Sequence, residues 1–421
     1  MVTIRLLLNL AINHNWPMLQ LDVSNAFLHG DLQDDIYMSQ PPGFEDPLRP
    51  DAVCKLHKSL YGLKQAPRQW FQKLTMVLQS NGFRCSRSDP SLFIFAKLHI
   101  RIYFLIYVDD IIMTGNDQQH IQMILAELRS AFALKQLGEI SLFLGIQVTR
   151  SNKGFFLSQA HYAQKLLEEA GLSNCKPAPT PIAPTSKHQL PNTKPFHDAF
   201  LYRRLSGALQ YLSITRPDIA FAVNQVCQQM HSPTDRDFQQ LKRILRYVKG
   251  TVSYGLPIIA GDTNLRTFAD ADWASDNTDR KSISGFCTFM GPNLISWSVK
   301  KQITVAKSST EAEYRALSAA TSDVLWLRRL ADELQLPQKT PTTILCDNIS
   351  AIAIAKNPVF HARTKHIEID FQFIRHHILN NNISIQHISS QEQIAGILTK
   401  PFAVSRFEYL CNKISIQSQN A

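Results

Sequence analysis

The sequence predicts two α/β regions joined by helices: an α+β unit, a helical connection, and a compact mixed α/β domain. Three observations carry that expectation. Before residue 174, apolar strand-like runs alternate with segments of helical period. A proline-dense stretch follows, "CKPAPTPIAPTSKHQLPNTKPFHD" at 175–198. Beyond about residue 263 the order reads three strands, helix, strand, helix, strand, helix, which makes a mixed five-stranded sheet.

The opening "MVTIRLLLNLAINHNWP" has one Arg and a short apolar run interrupted by Asn9 and Asn13, and reads as an amphipathic helix rather than a secretion signal. Strand-like "MLQLDV", "SLFIFA" and "RIYFLIYV" then alternate with the helical patterns "PRQWFQKLTMVLQSNG" and "HIQMILAELRSAFAL". Prolines 177, 179, 181, 184, 191 and 195 prevent any continuous helix or central strand, so 175–198 is expected to be an extended connector. The segments "FLYRRLSGALQYLSITRPDIAFAVNQVCQQMHSP" and "DRDFQQLKRILRYVKG" carry apolar residues at helical spacing, broken by Pro217 and Pro233. The last region offers strands "LRTFADA", "SGFCTFM" and "LISWSV", a helix from about Ser309 to Leu334, and strands "TTILCD" and "ISIQHI". The expected boundaries are 1–174, 175–262, 263–402, and a tail at 403–421.

A chain of 421 residues, 44% hydrophobic and 19% charged, is globular and too long for one ordinary core. Its 44 Lys and Arg against 34 Asp and Glu give a net charge of +10, which a phosphate-rich partner favours and which also serves solubility alone. The seven cysteines (Cys54, Cys85, Cys175, Cys227, Cys287, Cys346, Cys411) are odd in number and far apart, with no Cys-x-x-Cys. Neither a disulfide framework nor a zinc knuckle is indicated, and the compartment reads as reducing. No stretch reaches the roughly 18 apolar residues of a membrane span, which places the protein in cytosol or nucleus.

"LIYVDDIIMTG", residues 105–115, sets Asp109 and Asp110 side by side between apolar runs. Adjacent carboxylates repel, and desolvation raises the cost, so something cationic is expected nearby. A strand, a tight turn and the strand "IIMTG" would form a hairpin with an acidic tip, and "LQLDVSNAF" places Asp22 at the end of another apolar strand. Carboxylates from two strand ends can share divalent ions about 3.5–4 Å apart, the arrangement that activates a 3′-hydroxyl and stabilises a pyrophosphate leaving group. Taken alone, the aspartate pair is also a hairpin turn, where Asp is favoured for local reasons.

"YVDD" resembles the catalytic hairpin of reverse transcriptases, and "LDVSNAFLHGDLQDDIYMSQPPGF", "KLHKSLYGLKQAPRQWF" and "LKQLGEISLFLGIQV" resemble the palm of copia-class retrotransposon polyproteins. The resemblance implies a reverse-transcriptase palm and thumb over 1–174. It makes Asp22 and Asp109 the principal metal ligands and Asp110 the third carboxylate, holding two Mg2+ or Mn2+ ions. Phe27, five residues after Asp22, falls where the family's aromatic gate blocks a ribose 2′-hydroxyl; its other reading is a core Phe. Gln65 in "LKQAP" resembles the residue that packs on the incoming nucleotide, and Lys135 in "LKQLG" resembles a proton donor to pyrophosphate, though both also read as solvated polar residues. "FLGI", 143–146, resembles the primer grip, where Gly145 would let the backbone approach the primer end.

In the last region "RTFADADW", "SSTEAEYRAL" and "ILCDN" resemble three of the four acidic positions of a two-metal ribonuclease H site. "DRKSISGF", "CDNISAIAIAKNPVFHARTKHIEI" and "ILTKP" extend the copia-class match. The resemblance points to Asp270 rather than Asp272, and to Asp347. Glu311 and Glu313 lie about 200° apart on a helix and cannot face one site together. Ser308 to Glu311 fits a capping box, which leaves Glu313 for the site. His366 in "TKHIEI" reads as a loop or core histidine as readily as a site residue.

Two departures from the family pattern stand out. The family's fingers segment, with its Lys/Arg-rich strand pair, precedes the palm, whereas Met1 lies 21 residues before Asp22; Arg5 sits in the opening helix and is not expected to replace it. Gly396 stands in "QEQIAGILTKP" where the family pattern has the fourth aspartate, with Glu392 a helical turn away as a substitute. Protease, integrase zinc site and nucleocapsid knuckle are not found in these residues. The expectation is therefore the C-terminal part of a transposable-element polyprotein: an RNA-directed DNA polymerase with a ribonuclease H-like domain, of reduced or lost activity. The alternative is a non-catalytic nucleic-acid-binding remnant. The implied partners are RNA template, DNA primer, RNA–DNA hybrid and deoxynucleoside triphosphates, with no membrane, in a cytoplasmic virus-like particle or the nucleus. Nothing in the sequence decides the oligomeric state.

Overall fold

The computed structural model describes residues 1–184, 194–276, 278–357 and 368–419. It divides after Asn13 and after Leu144: His14–Leu144 form a first unit, and Met1–Asn13 with Gly145–Ala421 form a second. Helix α1 (Val2–His14) is buried from Thr3 through Ala11 rather than amphipathic. A helix apolar on all sides belongs inside a core, and Arg5 finds hydrogen-bond acceptors there. Arg5 donates to the carbonyls of Ile295 at 2.8 Å and Ile214 at 2.5 Å and lies 4.0 Å from the Trp297 ring centre. Burial alone lowers its pKa to about 9. Asn13 bonds back to Asn9.

In the first unit β1 (Met18–Val23) is followed by an exposed two-stranded ribbon, β2 (Asp31–Ser39) and β3 (Val53–Lys58). Then come α2 (Ala66–Ser80), β4 (Arg84–Cys85), β5 (Leu92–Lys97), β6 (Ile100–Tyr107), β7 (Asp110–Gly115), α3 (Gln118–Ala131), β8 (Leu134–Glu139) and the short β9 (Leu142–Phe143). The main sheet runs β4-β5-β6-β7-β1-β8 and is antiparallel throughout. Alternate residues of its strands, Ile102, Phe104 and Ile106 among them, pack with Trp70, Leu74 and Leu78 of α2 and Ile121, Leu125 and Leu128 of α3. Pro67 sits in the first turn of α2, and the Asp117 carboxylate caps α3 by accepting from the His120 N–H at 2.7 Å.

The second unit continues with β10 (Ile146–Ser151), β11 (Gly154–Ser158), α4 (Ala160–Glu169), α5 (Ala199–Leu212), α6 (Pro217–Cys227), α7 (Asp235–Gly250) and β12 (Tyr254–Ile259). Residues 146–174, expected with the first region, group with this unit instead because β11 pairs along its whole length with β12. The proline-rich segment carries no helix or strand over 175–184. It lies along α7, with the Ala178 N–H bonded to the Arg246 carbonyl and the Arg246 guanidinium to the Lys176 carbonyl. Residues 185–193 of that segment lie outside the described residues.

The mixed sheet follows: β13 (Leu265–Asp272), β14 (Ile283–Met290) and β15 (Asn293–Lys301), then α8 (Ser309–Glu333), β16 (Thr342–Cys346), α9 (Ile349–Lys356), α10 (Glu368–Leu379) and β17 (Ile383–His387). Its order is β15-β14-β13-β16-β17, antiparallel on the β14 side of β13 and parallel on the β16 side. A 3-10 turn, Ile394–Leu398, leads into α11 (Val404–Lys413) and β18 (Gln417–Ser418), which pairs with β12. Within 403–419, Phe407 of α11 packs edge-on against Tyr247 of α7. All seven cysteines are free thiols, and no helix among the described residues is long and apolar enough to cross a membrane.

Helix α8 packs on the sheet through Leu317, Ala320 and Val324, and carries Asp323 into the same interface. Hydroxyls of Ser296 and Thr288 donate to its carboxylate at 3.1 and 3.3 Å, but burial outweighs them and pushes its pKa up to about 6. The folded state therefore holds this proton more tightly than the unfolded chain, and stability falls as pH rises through about 6. Asp323→Asn is expected to raise unfolding free energy at pH 8 by up to about 3 kcal/mol, with about half that gain at pH 5. Urea titrations at the two pH values check it.

Candidate active sites

The tip of the β6–β7 hairpin is a two-residue loop, with Tyr107 opposite Asp110 and Val108 and Asp109 between them. Val108 has φ of +57°, a left-handed conformation uncommon for a β-branched residue. Two bonds hold it. The Trp70 indole donates to the Val108 carbonyl at 2.7 Å, and the Val23 N–H donates to the Asp109 carbonyl at 3.0 Å. The loop is thereby tied to α2 and to the end of β1.

Strand β1 lies between β7 and β8, and its register sets Asp22 opposite Asp110 on one side and Lys135 on the other. Directly opposed residues of antiparallel strands present their side chains on the same face. Three neighbouring strands therefore carry a row of carboxylate, carboxylate and ammonium, with Asp109 at the adjoining loop. Burial, then Asp109, then Asp22 raise the pKa of Asp110. Lys135 supplies a cation in register with Asp22 on the neighbouring strand.

Phe27 sits half-buried in a 3-10 turn, Ala26–His29, against the first unit's core, with its ring centre 4.8 Å from that of exposed Tyr61. Gln65 is half-buried at the N-cap of α2, without a side-chain cap bond. Gly145 begins the second unit at φ of +71°, where a Cβ would run into the Tyr211 hydroxyl. Its glycine character is thus already required by packing inside its own unit.

A second acidic set belongs to the mixed sheet. Asp270, 1% exposed, is on central strand β13; Glu313 is in the first turns of α8; and Asp347 follows β16. Burial first, then Asp270 and Asp347, push the Glu313 pKa well up. The Glu313, Cys346 and Asp347 ligand atoms lie within 4.8 Å of one another, a group able to hold a metal ion. Glu311 points elsewhere: the Ser308 hydroxyl accepts from the Glu311 N–H, and the Glu311 carboxylate takes the Lys307 N–H and the Arg315 guanidinium. Asp272 ends β13, its pKa raised by burial and lowered in part by Lys400.

Asp270 is engaged at both oxygens, by the Thr399 hydroxyl at one and by the Lys400 ammonium, 3.3 Å away, at the other. Burial works against the Lys400 charge, yet Asp270, Asp347 and Glu313 together hold its pKa above the ordinary value. Glu392 does not substitute for an acid at 396. Gly396 lies in the 3-10 turn, so α-helical spacing does not carry from 392, and the Glu392 carboxylate accepts from the Tyr409 hydroxyl at 2.8 Å. Sequence reasoning passed over Trp70, Thr399, Lys400 and Cys346, although each lies inside a quoted run: "PRQWF", "ILTKP" and "ILCDN". His366 lies outside the described residues.

The brace on the acidic hairpin has a measurable weight. Trp70 is 2% exposed and also packs edge-on against Phe132. Trp70→Phe keeps an aromatic ring but loses the bond to Val108, and is expected to cost about 1–3 kcal/mol in urea unfolding followed by circular dichroism.

A family model described as reverse transcriptase (RNA-dependent DNA polymerase) matches residues 1–184. The retrovirus-related Pol polyprotein from transposon RE1 of Arabidopsis thaliana is 45% identical over 98% of this chain, which spans 28% of that polyprotein. The corresponding polyprotein from transposon TNT 1-94 of Nicotiana tabacum is 39% identical over 98% of the chain, which spans 32% of it. The putative transposon Ty5-1 protein of Saccharomyces cerevisiae is 30% identical over 72% of this chain and 100% of its own length. Among solved structures, LC11-RNase H1 from compost aligns with 32% of this chain and 93% of its own, at 19% identity and a TM-score of 0.25. These relationships place the chain in the copia-class family of retrotransposon Pol polyproteins, with residues 1–184 matching the reverse transcriptase model.

Proposed function

We propose that the chain extends a DNA primer on an RNA template, with Asp22, Asp109 and Asp110 as its polymerase centre in a palm formed by the first unit. The observation that carries this reading is the register of β7, β1 and β8, which sets Asp110, Asp22 and Lys135 in one row beside Asp109. A carboxylate whose proton affinity is raised by burial and by acidic neighbours at the ends of adjacent strands, as for Asp110, fits a divalent cation. Two bound Mg2+ ions would activate the primer 3′-hydroxyl and neutralise charge on the departing pyrophosphate.

In this reading Asp22 and Asp109 are the principal ligands and Asp110 the accessory one. Lys135, across from Asp22, is placed to meet phosphate charge and to supply a proton to the leaving group. Phe27 acts as the gate against a ribose 2′-hydroxyl, Gln65 packs on the incoming deoxynucleotide, and Gly145 belongs to the primer grip. The Trp70 bond keeps the loop's strained conformation fixed, so the carboxylates need no rearrangement when ions arrive. A net charge of +10 favours the phosphate backbones of template and hybrid. For the mixed-sheet domain, the engagement of Asp270 by Thr399 and Lys400 favours holding a hybrid over hydrolysing it.

Primer extension on a defined RNA template with deoxynucleotides and Mg2+ tests the polymerase reading. Asp109→Asn is expected to lower the extension rate roughly a hundredfold or more, in line with the loss of one preorganised charge at a reacting centre. Hybrid binding, measured across a salt series, is expected to be unaffected. Extension that Asp109→Asn leaves unchanged would remove these aspartates from the reaction.

A further inference from the structure

The acidic set of the mixed sheet does not match the two-ion site expected for it. Asp270 is the innermost of its carboxylates, and a bridging ligand must offer a free oxygen to each ion. Here both oxygens are taken by the chain itself: the Thr399 hydroxyl donates to one, and the Lys400 ammonium lies 3.3 Å from the other. On the other side, the Ser390 hydroxyl donates to one Asp347 oxygen at 2.7 Å and the Cys346 thiol to one Glu313 oxygen, which leaves each of these carboxylates its second oxygen, and the Glu313, Cys346 and Asp347 ligand atoms lie within 4.8 Å of one another.

Two glycines make this arrangement possible. Gly285 is the cross-strand partner of Asp270 on β14, and a Cβ there would come within 2.7 Å of the Thr399 methyl. Gly396 lies under the lysine stem, and a Cβ there would come within 3.2 Å of both Lys400 Cε and the Phe402 ring. A contact below 3.4 Å forces a neighbour to shift, so an aspartate at 396 would compete with the present course of Lys400. The absent fourth acid and the inserted ammonium are thus one structural feature: the residue that lacks a carboxylate is the one over which the cation passes.

We propose that Lys400 is the resident cation of this acidic cluster, occupying the place of one divalent ion, so that the cluster takes up a single divalent cation between Glu313 and Asp347. The inference rests on the reading of the cluster as a divalent-cation site. An ammonium satisfies the negative charge of Asp270 but offers no ligand position for a water or a phosphate oxygen. Divalent metal and Lys400 are alternatives at Asp270, and replacing the lysine by an uncharged side chain of similar length frees an oxygen for a second ion.

The test is Mn2+ binding stoichiometry by equilibrium dialysis on the full chain, with Asp22→Asn, Asp109→Asn and Asp110→Asn present throughout to silence the first unit. This parent is expected to bind one Mn2+, and Glu313→Gln to abolish that binding. Lys400→Met is expected to bind two, and Lys400→Arg, which keeps the charge, to remain at one. Thermal melts of each variant establish that it is folded. Two ions in the parent, or no gain in Lys400→Met, would overturn the lysine proposal while leaving the metal site in place. No binding in the parent or in Lys400→Met would overturn the divalent-cation reading and the proposal together. Should Lys400→Met fail to fold, the parent's stoichiometry still decides between one ion and two.

Discussion

Carboxylates that face other carboxylates at the ends of central strands are the constraint around which both units are arranged. Such groups repel, and burial adds to the cost, so each cluster exists only because something else over-determines its geometry. In the first unit that work falls to the sheet register and to α2. Asp22 meets Asp110 because β1 pairs with β7, and the loop carrying Asp109 is held by the Trp70 indole and the Val23 amide. In the second unit Asp270 is fixed by β13, and the turn after β17 closes over it with Thr399 and Lys400.

The two clusters differ in where their positive charge comes from. In the first, Lys135 lies across from Asp22, while Asp110 keeps a raised proton affinity from its burial and its acidic neighbours. Negative charge there is left for an external cation to meet. In the second, Lys400 is itself pressed into the cluster, and three carboxylates hold its charge against the cost of burial. An internal ammonium is fixed in number and offers no coordination sites, whereas a divalent ion does. The same electrostatic problem is therefore met differently in the two units: by sheet register in the first and by an ammonium beside Asp270 in the second.

Much of the secondary structure was legible because its signals are local. The apolar strand-like run "MLQLDV" is β1, the run ending at "YVDD" is a hairpin, and the helix expected from about Ser309 to Leu334 runs from Ser309 to Glu333. The choice between Glu311 and Glu313 followed from helical geometry and the Ser308 cap, and the structure sends the two side chains to different partners. Helix α1 departs from the amphipathic expectation because Asn9 and Asn13, which interrupt the apolar run in sequence, bond to each other, while Arg5 reaches the carbonyls of Ile214 and Ile295. Residues 146–174 are expected with their neighbours in sequence, yet β11 among them pairs with β12, about a hundred residues on.

By itself, the sequence determined the α+β and mixed α/β classes, the acidic positions, and the family to which they belong. Those follow from residue type, period and motif spacing, all of which are properties of short stretches. Only the tertiary structure decided which charges meet. Lys135 stands opposite Asp22, and Lys400 reaches Asp270 over Gly396, because strand register and turn closure bring together residues more than a hundred positions apart. No local pattern encodes such pairings, since each partner's preference is satisfied equally well by water until the fold removes it.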